Sequence, residues 1–220
     1  MRTRVWDSAR DAFWQLRKRV AASLLRFAPA PRPLLTRADI APAHPAAPDV
    51  TVVIPVYNSA DWLKDCITSV LAQTGVDVEV VCIDDGSTDG SGDVLARMSE
   101  TDPRIIVATQ SNSGQSVARN VGVDAASGRY IVFLDSDDFW VKNALADLVT
   151  RADDDALDVL LFDCVPFLDG DVDQQTWTWY SKYYQRSRTY RGVRTGPALM
   201  TAMRHGNDYR PHVGLYLVRR

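Results

Sequence analysis

The chain predicts an α/β fold built on a doubly wound, mostly parallel sheet. Three observations carry the prediction. From Val50 onward, short β-rich runs alternate with stretches of helical periodicity, the pattern that parallel sheets with crossover helices leave in a sequence. Clusters of Asp, Asn, Gly and Ser follow three of those runs directly, at the carboxyl ends of strands where an open α/β sheet binds its ligands. The composition, 46% hydrophobic and 24% charged over 220 residues, is ordinary globular material with enough apolar surface for one principal core.

The elements follow in order. In residues 1–27, Trp6, Ala9, Phe13, Leu16, Val20, Leu24 and Phe27 recur three or four apart, one face of a basic amphipathic helix. Such a helix suits peripheral contact with an anionic membrane surface, or packing on the body or on a second subunit. Residues 28–48 hold six prolines among many alanines, the composition of a semi-rigid linker. The domain proper is expected over residues 49–220. Strands are predicted at Val50–Val56, Val78–Ile83, Ile105–Thr109 and Tyr130–Leu134, with helices between them at Asp61–Ala72, Asp89–Met98 and Ser116–Ala126. A helix over Val141–Val149, a strand over Leu157–Phe162, a helix over Thr195–Met203 and a strand over His212–Val218 complete the reading. No internal repeat is visible.

Charge divides the chain. Residues 1–48 carry nine basic and three acidic side chains, a net +6, and the remainder nets −9. The body is therefore acidic and has no nucleic-acid-binding face. Cys66, Cys82 and Cys164 are an odd number at unrelated spacings, which indicates neither a disulfide framework nor a zinc site and fits a reducing cytoplasm. No stretch reaches the roughly 18 to 20 apolar residues that span a bilayer. The expected location is cytoplasmic, at the inner face of the membrane if the basic segment takes the first of its two readings.

The segments that carry chemistry lie after the first, second and fourth strands: Pro55-Val56-Tyr57-Asn58, Asp84 to Gly90, and Asp135-Ser136-Asp137-Asp138. Taken singly, each reads equally as a turn or a helix cap. Three carboxylates within four residues repel one another unless a cation or a ring of donors compensates them. Hard oxygen ligands without His or Cys select Mg²⁺ or Mn²⁺, held by one or two carboxylates and substrate phosphates. At a strand end Asp135 and Asp137 project to one side, so one can hold ribose or metal-bound water and the other the metal. Asp84 and Asp85 can accept hydrogen bonds from a base or ribose; Asp85 is assigned to the ligand and Asp89 to the cap of the following helix. The first strand is followed by no Gly-x-Gly-x-x-Gly, and Gly-Lys-Ser/Thr is absent, which removes the signatures of dinucleotide-fold oxidoreductases and P-loop enzymes.

With those segments placed, the sequence resembles the inverting glycosyltransferase family 2, of GT-A fold. The resemblance lies in Val52 to Asn58, Ser69 to Thr74, Val80 to Thr88, Asn112-Ser113-Gly114 leading to Ala118-Arg119-Asn120-Val121-Gly122, and Gly128 to Asp138, in that order. It implies a nucleotide-diphosphate sugar donor, a UDP-sugar first among them, with Pro55 and Tyr57 beside the base, Asp84 and Asp85 on base or ribose, and Asp135, Ser136 and Asp137 on ribose and metal. Asp137, Asp135 and Asp138 are the metal set it implies, for Mg or Mn. Arg119 would contact the donor phosphates or pair with an acidic strand end. The acceptor would be a glycan or a lipid-linked hydroxyl, in cell-envelope or polysaccharide synthesis. The family's general base lies well downstream of the metal motif, and no equivalent stands between Val141 and Arg220, so it is expected beyond Arg220.

Two other classes remain open. A nucleotidyltransferase also joins an α/β sheet to acidic metal ligands, but Pro55-Val56-Tyr57-Asn58 is not the basic or glycine-rich loop it needs. A catalytically incomplete domain that binds a donor or a protein partner is the other. Trp177, Trp179, Tyr180, Tyr183, Tyr184 and Tyr190, interleaved with Lys182, Arg186 and Arg188, read either as an acceptor surface or as rings burying area. The three histidines lack partners at metal-ligand spacing and read as structural.

Overall fold

The computed structural model describes residues 47–167, 173, 176–178, 192, 194–205 and 213–220. The amphipathic segment 1–27, nearly all of the linker, the aromatic run beyond Thr178, and His212 lie outside the described residues.

Four parallel strands form the heart of the sheet: β1 (Val50–Val56), β2 (Val78–Asp84), β3 (Ile105–Thr109) and β4 (Tyr130–Phe133). The helices between them are α1 (Ala60–Leu71), α2 (Ser91–Thr101) and α3 (Gln115–Ala125). After β4 come α4 (Ala144–Asp154), β5 (Val159–Leu161), α5 (Gly196–His205), a 3₁₀ turn at Val213–Leu215 and β6 (Tyr216–Arg219). The strand order is β3-β2-β1-β4-β6-β5. β1 pairs in parallel with β2 from Val50 opposite Val78 to Val56 opposite Asp84, and with β4 from Val50 opposite Tyr130 to Val53 opposite Phe133. β6 runs antiparallel to both β4 and β5.

β1 and β2 are buried along their whole lengths, as befits strands covered on both faces. On one face Val50, Val52, Ile54 and Val56 pack with Leu63, Ile67 and Val70 of α1, Leu95 of α2, and Leu145 and Val149 of α4. On the other, Val53, Val81, Ile83 and Ile131 pack with Ala118, Val121 and Ala125 of α3. α3 lies close because Gly122 faces Val53: a Cβ there would stand 2.3 Å from Val53 Cγ1. Each fully buried valine or isoleucine contributes about 1.5–3 kcal/mol by leaving water. These helices therefore fix the sheet, and with it the strand ends.

At the amino-terminal end of the strands, the wholly buried Glu79 carboxylate accepts hydrogen bonds from Thr51 Oγ1 (2.6 Å), Ser127 N–H (2.8 Å) and Ser127 Oγ. Gly128 N–H donates to Thr51 Oγ1, and a Cβ on Gly128 would meet the Thr51 nitrogen at 2.5 Å. The α3–β4 connection is thereby closed against β1.

Most predicted elements differ from the observed ones by one or two residues at their ends. The helix predicted from Val141 begins instead at Ala144 and runs on to Asp154. Asn143 stands in the left-handed region at φ 64°, which halts helical geometry before that point. The final strand starts at Tyr216 because Val213–Leu215 forms the 3₁₀ turn. No helix among the described residues is long and apolar enough to cross a membrane, and none of Cys66, Cys82 and Cys164 is in a disulfide among the described residues.

Candidate functional site

β3 and β2 lie to one side of β1 and β4 to the other, so the chain reverses its direction of travel across the sheet beside β1. A crevice opens at the carboxyl ends of strands at such a reversal. Here it is a cleft of about 500 Å³ lined by Pro55, Val56, Tyr57, Asn58, Ser59 and Trp62 after β1, Asp85 after β2, Asn112, Gly114 and Gln115 after β3, and Asp135, Ser136 and Asp137 after β4. All four parallel strands contribute to it.

The loops are clipped together by side chains that double as turn formers. Asn58, at φ 50°, accepts Thr88 N–H on Oδ1 (2.8 Å), and its own N–H donates to Ser87 Oγ (3.1 Å). Asp89, expected as a helix cap, accepts Ser91 N–H on Oδ1 (2.9 Å) and reaches across to accept Ala60 N–H at the start of α1 (2.9 Å). Those two backbone donors and the Ser91 hydroxyl hold its carboxyl below the usual range, Ala60 most strongly. Tyr57 projects into the cleft, half exposed at 52%.

Asp85 is buried and lines the cleft floor. Its Oδ1 accepts Gln110 Nε2–H and Ser113 N–H, each at 2.7 Å, and its Oδ2 accepts Gly114 N–H at 2.8 Å. One carboxylate thus shapes the loop after β3, and Oδ2, which accepts a single one of these bonds, retains acceptor capacity. Asp84 departs from its expected role. It is 5% exposed and does not line the cleft; its Oδ1 closes a turn by accepting Ser87 N–H at 2.9 Å. Successive side chains of an extended chain point to opposite faces, so only one of the two adjacent aspartates can face the ligand.

At the fourth strand end, Asp138 N–H donates to the Asp135 carbonyl (3.0 Å), closing a turn. Asp135 and Asp137 face the cleft just described, while Asp138 faces a second cleft of about 770 Å³. This one is walled by Phe139, Trp140, Phe162, Phe167, Trp177 and Leu215, and Asp135 lies at its junction with the first. Asp138 is exposed on one side, but partial loss of water against that wall, then the charges of Asp137 and Asp135, push its carboxyl up to about 6. The expected trio round one ion is thus not assembled: among the described residues no three His, Cys, Asp or Glu side chains are placed to share a cation. The turn directs Asp138 away from the pair Asp135 and Asp137. That all-oxygen pair still suits a hard divalent ion completed by ligand phosphates and water.

Of the two roles open to Arg119, the structure displays the ion pair: Nη2 donates to Asp135 Oδ1 at 2.5 Å, with Gln115 Nε2 donating to the same oxygen at 3.2 Å. Arg119 Nε is buried without a partner. Trp62 and Gln115 line the cleft without having been singled out from the sequence, and Asn112, part of the segment that carries the resemblance, lines it without having been given a role. Trp62 is hidden in the periodicity of α1, while Asn112 and Gln115 follow a strand whose end carries no carboxylate.

A parallel sheet whose four carboxyl ends converge on one polar cleft, with paired carboxylates at a reversal of strand order, defines an α/β ligand-binding domain of the GT-A type. The chain belongs to glycosyl transferase family 2, whose family model matches residues 51–207. It is 36% identical over 148 residues to the uncharacterized glycosyltransferase YibD of Escherichia coli, covering 67% of this chain and 42% of that one. It is 46% identical over 99 residues to the putative teichuronic acid biosynthesis glycosyltransferase TuaG of Bacillus subtilis, covering 44% of this chain and 39% of that one. The S. aureus TarS fragment 1-349 in complex with UDP-GlcNAc superposes with a TM-score of 0.52 at 30% identity, covering 57% of this chain and 37% of that chain. The chain spans less than half the length of these two curated relatives, as it spans 48% of EpsJ of Bacillus subtilis and 13% of GlyA of Streptococcus pneumoniae.

Proposed function

We propose that this chain is the donor-binding domain of an inverting glycosyltransferase that moves a sugar from a nucleotide-diphosphate sugar to an acceptor hydroxyl in polysaccharide or cell-envelope synthesis. The observation that carries the reading is the single cleft in which Tyr57, Asp85 and the pair Asp135 and Asp137 converge from separate strand ends. Tyr57 offers an exposed ring to stack on a base. The free lone pair of Asp85 accepts an N–H or hydroxyl from base or ribose. Asp135 and Asp137 would hold ribose and a divalent cation, Mg²⁺ or Mn²⁺. When bound, that ion supplies positive charge to the diphosphate as it leaves.

In the transfer itself, the acceptor oxygen bonds to the anomeric carbon as the bond to the diphosphate oxygen breaks, and the hydroxyl proton passes to a base. One displacement inverts the centre. Arg119, tied to Asp135, keeps that carboxylate aimed until the donor arrives. A UDP-sugar is the favoured donor, supported by the likeness to a structure complexed with UDP-GlcNAc. Polysaccharide synthesis is supported by relatives named for teichuronic acid and succinoglycan biosynthesis. We assign the basic segment 1–27 to peripheral contact with the inner face of the membrane, tested by sedimentation with anionic vesicles before and after its removal.

Calorimetry with UDP, with and without Mn²⁺, tests the donor site. Binding that Mn²⁺ strengthens, and that Asp137→Ala returns to the metal-free value, is expected. Unchanged Mn²⁺-dependent affinity in Asp137→Ala would show the ion to be held elsewhere.

A further inference from the structure

Four side chains of α1 and the residues just after it, Trp62, Cys66, Ser69 and Gln73, are spaced four, three and four apart and so form one stripe along the helix. The acidic segment and the loop that follows it lie along that stripe in register. Trp62 lines the same cleft as Ser136 and Asp137. Cys66 Sγ–H donates to the Asp135 carbonyl at 3.6 Å. Ser69 Oγ accepts Trp140 N–H at 2.9 Å and donates to the Cys66 carbonyl at 2.7 Å. Gln73 closes the row. Its Nε2 donates to the Val141 carbonyl (2.9 Å) and the Ser69 carbonyl (3.2 Å), and its Oε1 accepts Leu145 N–H (3.1 Å).

Gln73 is 5% exposed and uses both N–H donors and its carbonyl. The bond to Leu145 has a further meaning. Leu145 is the second residue of α4, whose N-cap Asn143 makes no side-chain capping bond of its own; Asn143 Oδ1 instead accepts the Thr74 hydroxyl at 2.8 Å. Gln73 supplies from another helix the acceptor that a cap normally provides. We infer that Gln73, with Ser69, is a positioning residue for Asp135 and Asp137: it fixes the loop from Phe139 to Asn143 at its far end, so that the turn carrying the two carboxylates is anchored on both sides. This rests on the donor-site reading above.

Gln73→Glu separates positioning from mere stability, because it keeps the acceptor for Leu145 N–H while removing both donors, including the one that holds Val141. The experiment is calorimetry of UDP with Mn²⁺ and with EDTA, on the whole chain, with thermal unfolding alongside. Supporting residues of this kind typically change metal affinity about 10- to 100-fold. The expected result is a Mn²⁺-dependent gain in UDP affinity reduced about tenfold, with metal-free UDP affinity within about twofold of wild type. Ser69→Ala, which removes the acceptor for Trp140 N–H, should shift in the same direction, and Ser69→Thr should restore it; this series decides the matter if Gln73→Glu does not fold. Equal losses of affinity in Mn²⁺ and in EDTA, or an unaltered Mn²⁺ effect, overturn the inference. A wild-type chain without any Mn²⁺ effect overturns the donor-site reading and this inference together.

Discussion

Replacing Asp85 by asparagine conserves shape and removes one acceptor and the charge. Oδ1 serves Gln110 Nε2–H and Ser113 N–H, and Oδ2 serves Gly114 N–H. An asparagine can present its oxygen to one of these sets only, so at least one donor meets an N–H group. Hydrogen bonds to a charged group contribute about 1.5–3 kcal/mol and neutral ones about 0.5–1.5 kcal/mol. Losing one charged bond and weakening the others gives a destabilisation of about 3 kcal/mol. For a domain of this size that lowers the melting temperature by about 6–12 °C. Because the same bonds shape Asn112 to Gly114 on the cleft wall, UDP affinity should fall with stability. Urea unfolding gives the first quantity and calorimetry the second. A variant within about 0.5 kcal/mol of wild type would refute the claim that this carboxylate organises the loop.

Gly128→Ala should cost about 3 kcal/mol or more, since its Cβ would press on the Thr51 backbone nitrogen, which cannot rotate away; Gly122→Ala should cost less, about 1–3 kcal/mol, because Val53 Cγ1 belongs to a side chain. Urea unfolding of both variants checks the order, and equal costs would count against it. Asp138 carries a pH signature. Its folded pKa, about 6, lies above the unfolded value, so the carboxyl costs nothing below the ordinary carboxylate range, destabilises increasingly as pH rises from that range to about 6, and costs a constant amount above it. Asp138→Asn should therefore stabilise the metal-free chain at pH 7.5, by at most about 1 kcal/mol given its solvent exposure, and leave it unchanged at pH 3.5. A variant that is less stable at pH 7.5 contradicts the repulsion argument.

The strands were legible because their β-rich runs are bounded by turn-forming residues, and the first, second and fourth strand ends because Asp, Asn and Ser gather there. The cleft residues after β3 were harder to read: Asn112 and Gln115 are polar but uncharged, and only the register of β3 beside β2 brings them to the site. Asp84 and Asp85 are chemically identical neighbours, and the facing of each is decided by where β2 ends. Asp138 lines the second cleft and Asp137 the first, across a turn closed by Asp138 N–H on the Asp135 carbonyl, which the run of acidic residues does not announce. The late start of α4 has a similar origin, because its cap comes from Gln73, about seventy residues earlier, and no local window of sequence contains both partners.

Among the described residues β5 meets the sheet only through β6, which inserts between it and β4. During synthesis, β1 to β4 with their helices form one local set of contacts that can be completed as soon as Phe133 and the residues of α4 have been made. β5 is made next but has no strand to join until Tyr216–Arg219 follows, more than fifty residues later. Its alignment waits on a non-local contact of the kind that slows folding. The polar cleft thus rests on contacts among successive elements, whereas the apolar cleft bordered by Phe162 and Leu215 needs a contact that spans more than fifty residues.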